Sequence, residues 1–407
     1  MQNIQEKFSD KVKHLEASAI REIFKLLAKP GIISFAGGAP DPALFPKKEL
    51  AEIAADVLTN QGEIALQYGT TEGYTPLRNW VIDRLTKQGI ISENDETIIV
   101  SGGQQGIDLA AKSLLNPGDG VICEEPSFIG GLNSFRCNNA EIYGVPVQAD
   151  GLDTDKLEEL LKAHPNVKIL YTIATFQNPS GITMSLAKRK KVLELAETYD
   201  FMIFEDNPYG ELRFAGEDVP TLKSMDENGR VVYLGSFSKI LSPGLRLGFV
   251  SCDPALMERM VICKQVEDVH TNVLSQMIAY EFVTRYDIDA HIAKLCKVYG
   301  EKCQLMMECM DKCFPSCVTH TNPEGGLFLF CTMPEQYDAK VVMQKALEKN
   351  VAFVPGATTM IDDKKTYSTF RMNYSTASKE DIEKGVKVLG EVLKEVVGEE
   401  HGRKKEN

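Results

Sequence analysis

Near the start of the chain Val12, Leu15, Ala19, Ile23, Leu26 and Leu27 recur at three- and four-residue intervals, which predicts an amphipathic helix over Ser9 to Lys29. Pro30-Gly31 closes it. Beyond the glycine-rich link Gly37 to Pro46 the period changes. Short apolar runs at Gly120 to Cys123, Ala140 to Val145, Val167 to Ile173, Phe201 to Phe204, Val231 to Leu234 and Leu247 to Ser251 alternate with helix-period stretches such as Leu186 to Glu197. That alternation predicts an α/β fold with a mostly parallel sheet covered by helices. Long helical stretches over Ile262 to Arg285 and Asp289 to Cys313 lead into a C-terminal α+β unit with strands at Gly326 to Cys331, Val351 to Pro355 and Thr369 to Tyr374.

Four of the runs end in polar punctuation that carries chemistry. Thr97-Ile98-Ile99-Val100 passes into Ser101-Gly102-Gly103-Gln104, a glycine turn opening a helix. Val167 to Ile173 is followed by Phe176-Gln177-Asn178-Pro179-Ser180-Gly181, and Phe201 to Phe204 by Glu205-Asp206-Asn207-Pro208-Tyr209. Val231 to Leu234 precedes Ser236-Phe237-Ser238-Lys239, with Arg246 after Pro243-Gly244-Leu245. In open α/β sheets ligands gather at the carboxyl ends of strands, so all four segments would face one crevice. A lysine behind two hydroxyls with an arginine nearby suits covalent capture of an aldehyde cofactor whose phosphate the neighbours hold. Taken alone, each segment is also an ordinary loop: a solvated lysine, a turn-capping aspartate, turn formers beside prolines.

As an ordered set these motifs, together with Arg371-Met372-Asn373-Tyr374-Ser375, resemble the fold type I pyridoxal-phosphate enzymes and within them the class I aminotransferases, from about Ser18 to Ser375. The segments Ser18-Ala19-Ile20-Arg21 and Ile33 to Pro40 are similar to the branch containing 2-aminoadipate and kynurenine aminotransferases. The resemblance implies a large pyridoxal-phosphate domain over residues 47–285 and a small domain made of 1–46 with 286–407. It also implies roles. Lys239 would hold the cofactor and move the substrate proton, Asp206 would keep the ring nitrogen protonated, and Asn178 and Tyr209 would donate to the phenolate oxygen. Backbone amides of Gly102, Gly103 and Gln104 would meet the phosphate at a helix N-terminus, with Ser236, Ser238 and Arg246 completing the cup. Gly103 stands where relatives often carry a small hydroxyl residue.

Phe128 matches an aromatic that stacks on the cofactor ring, or is a core phenylalanine. Tyr68 matches a tyrosine that reaches the phosphate from a partner subunit, which implies a homodimer. Arg371 would take the substrate α-carboxylate by a bidentate pair, beside Gly38 and Asn178. Arg21 either contacts a distal carboxylate or is a solvated helix residue. The donor would be 2-aminoadipate or an aromatic or branched-chain amino acid, and the acceptor 2-oxoglutarate. A carbon–sulfur lyase on the same scaffold stays open, and so, at lower weight, does the effector domain of a transcription regulator.

Bulk properties narrow the partners. A net charge of −13 opposes nucleic acid, which needs a basic surface. No apolar run approaches a membrane span and the N-terminus does not read as a signal peptide, so a cytoplasmic protein is expected. The 10 cysteines and 6 histidines form no ligand-spaced pair, so reduced thiols and no metal are expected.

Overall fold

The computed structural model describes residues 7–13 and 31–398. Of the first expected helix only residues 9–13 fall within them, and Asp10–Lys13 is helical; Arg21 lies outside the described residues.

The centre of the chain builds one eight-stranded sheet in the order β2-β9-β8-β7-β6-β3-β4-β5. Its members are β2 (Glu96–Val100), β3 (Gly120–Glu125), β4 (Glu141–Gln148), β5 (Gly151–Leu152), β6 (Val167–Thr172), β7 (Met202–Asp206), β8 (Val231–Ser236) and β9 (Gly248–Cys252). The run β8-β7-β6-β3-β4 is parallel, and β9 enters antiparallel between β8 and β2. The inner strands are buried on both faces, which is why they read as continuous apolar runs rather than alternations. The α/β expectation is met.

The C-terminal unit is a four-stranded antiparallel sheet, β10-β11-β14-β13, built from Thr319–His320, Phe328–Thr332, Thr369–Asn373 and Val354–Pro355. The expected strand Val351 to Pro355 divides. Its first half, β12 (Val351–Ala352), pairs with β1 (Ile33–Ser34), while β13 pairs with β14, so the chain changes sheets at the buried Phe353. This carries the N-terminal link across the C-terminal unit and sets Gly37 to Asp41 beside β14.

The single helical stretch expected over Ile262 to Arg285 is two helices, Pro254–Glu267 and Val273–Arg285. Between them Val269 is left-handed (φ 66°) and Asn272 caps the second helix by accepting from the Ser275 amide. Asp268 at the break is drawn into a side-chain network with Lys264, Gln105 and Ser101, which outweighs the helical preference of the flanking residues.

Candidate active site

The parallel strands put the ends of β3, β6, β7 and β8 on one edge of the sheet, and β2 runs the same way with its glycine turn there too. Gly102 adopts φ 87°, and a Cβ there would collide with the Arg246 guanidinium. Only glycine lets the chain turn so tightly into the helix Gly103–Leu114, whose first amides open toward the same edge.

A cavity of about 370 Å³ lies over these ends. Gly103 and Gln104 line it from the glycine turn, Phe128 from beyond β3, Asn178 from beyond β6, Asp206 from the end of β7 and Tyr209 from just beyond it. Ser236 comes from the end of β8, Ser238, Lys239 and Arg246 from the β8–β9 connection, while Gly38 from the N-terminal link and Arg371 from the C-terminal unit close it. Gly102 is buried behind the turn, and Tyr68 does not line the cavity: its ring is 81% exposed, edge-on to His270 at 5.8 Å. A larger cleft of about 770 Å³ sits on the far side of Pro208 and Ser236. Its arginines are already paired, Arg84 with Glu211 and Asp289, Arg213 with Asp218 and Glu324, which leaves them satisfied without a ligand.

Lys239 Nζ donates to Gly38 O at 2.6 Å and lies over the Tyr209 ring. Burial, with the Arg371 and Arg246 charges adding and Asp206 opposing, brings its amine down to about 8. Asp206 is 6% exposed; burial lifts its carboxyl to about 6, against a hydrogen bond from Tyr171 and the charge of Lys239. At neutral pH the carboxylate is therefore charged and the lysine sits close to releasing its proton. Burial pushes the Tyr209 hydroxyl far up, so it remains a neutral donor.

Arg371, on β14, is 5% exposed and donates to Asn178 Oδ1 at 2.9 Å and Ala36 O at 2.8 Å. Its Nε is buried without a partner, and its guanidinium lies 4.3 Å from the Phe328 ring centre. Burial lowers it only to about 10, so it stays cationic. The Arg246 guanidinium, exposed at the cavity edge, donates to Pro243 O and Ser101 O. Ser236 Oγ accepts from the Ser238 amide, and Gln104 spends its side-chain amide on Gly130 O and Ser134 Oγ, leaving its backbone N–H for the cavity.

A family profile described as aminotransferase class I and II matches residues 31–389. The chain belongs to this family. Its relatives include "Aromatic-amino-acid aminotransferase 1" of Thermococcus litoralis, 42% identical over 95% of this chain and 94% of that one. "2-aminoadipate transaminase" of Thermus thermophilus is 40% identical over 96% of this chain and 97% of that one. Among solved structures, the Pyrococcus horikoshii kynurenine aminotransferase in complex with PMP and with kynurenine substrate and product superposes with a TM-score of 0.93. It is 39% identical and the match covers 97% of this chain and 98% of that one.

The chain is thus a pyridoxal-phosphate-dependent aminotransferase acting on amino-acid and 2-oxo-acid substrates, with the fold type I architecture. The residues of this aminotransferase fit its cofactor. An amine with a lowered pKa, a buried carboxylate, a helix N-terminus behind an obligatory glycine and an unpartnered guanidinium nitrogen share one cavity.

Three groups of this aminotransferase stand outside the motif reading. The Gly38 carbonyl holds the lysine amine, and Tyr171 holds Asp206. Glu124, buried on β3, accepts from Thr172 Oγ1, the Ile173 amide and Gln177 Nε2, and so ties the β6 end and the Asn178 loop to the neighbouring strand. A backbone acceptor leaves no trace in a sequence, but a tyrosine and a glutamate inside apolar strand runs are signals that could have been used. Among the described residues no metal-ligating cluster occurs and no helix is long and apolar enough to cross a membrane.

Proposed function

We propose that this aminotransferase transfers the amino group of an L-amino acid with a bulky aromatic, aliphatic or 2-aminoadipate-like side chain to 2-oxoglutarate, through the residues around Lys239. The observation that carries the reading is the meeting of Lys239, Asp206 and Arg371, from two sheets, on one cavity. Names of the relatives supply the substrate range, and Ile107, Ile129 and Ile173 give the cavity an apolar wall to match it.

Pyridoxal phosphate supplies an aldehyde that takes the amino group and a ring that accepts the electron pair released at the substrate's α-carbon. Lys239 is the covalent attachment point and, once displaced, the base that carries the α-proton; an amine near pH 8 can do both. Asp206 would hold the proton on the ring nitrogen. Asn178 and Tyr209 would donate at the phenolate position, and Phe128 would cover the ring. Gly102, Gly103, Gln104, Ser236, Ser238 and Arg246 would hold the phosphate. Arg371, oriented by Asn178 and Ala36 O, takes the α-carboxylate beside Gly38 and so aims the Cα–H bond.

The working unit in this reading is a homodimer. Support comes from the exposed large apolar side chains Leu58, Ile64, Leu66, Tyr68, Val266 and Val269. Tyr68 would cross to the phosphate of the partner. Support for a division into 47–285 and the remainder comes from the eight-stranded sheet, whose strands all fall within 47–285, and ten free thiols accord with a cytoplasmic setting.

A screen of amino acids for conversion of the bound aldehyde to the amine form, run on wild type and Asp206→Asn, tests the reading. Conversion by aromatic and 2-aminoadipate donors with a loss of at least about a hundredfold in the variant is expected. Wild-type rates in Asp206→Asn, or release of ammonia and a thiol in place of transamination, would overturn it. Mixing inactive Lys239→Met with an inactive Tyr68 variant should restore activity if sites are shared; two monomers would restore none.

A further inference from the structure

We infer that Tyr171 is a positioning residue for Asp206: its hydroxyl fastens one carboxylate oxygen and leaves the other, as an anion, to the cavity. The inference rests on the reading of Asp206 given above. In the register of β6 and β7 Tyr171 lies opposite Phe204, so its side chain shares a face with Asp206 two residues on. Tyr171 Oη donates to Asp206 Oδ2 at 2.7 Å, and among the described residues no other side chain or amide donates to this carboxylate.

The donor cannot swing away. The Tyr171 ring is fully buried, edge-on to Phe135 at 5.6 Å, and lies so close to the helix Ile129–Cys137 that a Cβ on Gly131 would come within 2.9 Å of it. That helix starts directly after Phe128, so one buried tyrosine links the aspartate to the element that begins at the proposed stacking ring.

Other titratable groups facing the pair do not substitute for it. Tyr209 and Tyr233 approach Asp206 from beyond β7 and from β8, and Cys123 and Glu124 approach Tyr171 from β3; burial raises all four, keeping both phenols and the thiol neutral. Lys239 is the cation that favours the Asp206 anion, and its charge changes whenever its amine is covalently engaged. Tyr171 does not change. Its own proton is held far above the ordinary phenol range, so it acts as donor throughout.

Removing a donor to the charged form raises the Asp206 carboxyl above about 6 and takes the anion away first at low pH. The test is equilibrium binding of pyridoxal phosphate to the full chain, followed by absorbance across pH, for wild type, Tyr171→Phe, Asp206→Asn and the double variant. Phenylalanine keeps the packing. Tyr171→Phe should bind about tenfold more weakly near pH 6, converge on wild type above about pH 8, and change nothing when added to Asp206→Asn. Single-turnover rates should show the same non-additivity. A loss that is independent of pH and equal in both backgrounds, or no loss, overturns the inference while leaving Asp206 in place. Wild-type binding and rates in Asp206→Asn alone overturn the reading of Asp206 and this inference with it.

Discussion

Lys239, half-buried, and Lys264 flank the same glycine turn and differ in what meets their amines. Lys264 is fully buried, and its Nζ donates to both Asp268 oxygens, to Gln105 Oε1 and to Thr271 Oγ1, each at 2.8 or 2.9 Å. Burial lowers its pKa and Asp268 opposes the change. Its work is architectural. Gln105 and Asp268, which it gathers, bind the amide and hydroxyl of Ser101 and thereby brace the turn that presents Gly102 and Gly103. Lys239 meets one carbonyl and two like charges, and the Asp206 anion, the smallest of the influences on it, forms no salt bridge with it. The difference teaches that burial alone does not make a lysine reactive; leaving its amine without a directly paired counter-charge does.

The largest effect should come from substituting the uncompensated amine. Lys239→Met removes the proposed attachment point and proton carrier together, so turnover should fall by at least about four orders of magnitude and the absorbance of the lysine-bound cofactor should vanish. The apoenzyme should become more stable, by about 1 to 3 kcal/mol at neutral pH, because a poorly solvated cation has gone. Lys264→Met should do the reverse. It strands Asp268 and its partners and should cost about 3 kcal/mol in denaturant unfolding, with single-turnover rates of the loaded enzyme within about tenfold of wild type. Stability changes of one sign in the two variants would break the comparison.

These two lysines also mark where the sequence was legible. The sheet could be read because its strands are buried on both faces, and Lys239 because it stands at a strand end among serines, where a ligand site is expected. Lys264 could not, since its partner Asp268 lies in a helix break that helical periodicity does not reveal. Arg371 was legible as a motif, but its orientation by Asn178 and Ala36 O depends on the sheet change at Phe353. Tyr68 carries a meaning only a second chain can give it. Tyr171 offered a signal in the buried hydroxyl of an apolar run, but its ring reads as core, and is core, so the partner of that hydroxyl could not be named.

The smallest effect is one of pH, and it sharpens the comparison most. In the folded apoenzyme Lys239 gives up its proton near pH 8, whereas in the unfolded chain it keeps it to about 10.5. Below pH 8 both states are protonated and the full cost of burying the cation weakens the fold. Between about pH 8 and 10.5 the unfolded state binds the extra proton, so this group's contribution to stability rises with pH. Lys239→Met lacks that rise. The variant's advantage in unfolding free energy should therefore be greatest at neutral pH and shrink toward zero as pH approaches 10.5. Lys264, the tyrosines and the cysteines titrate in both proteins, so their slopes cancel in the difference. Denaturant melts of the two apoenzymes at pH 7, 9 and 10 check it, and a constant difference would mean that the folded protein holds the Lys239 proton as firmly as the unfolded chain does.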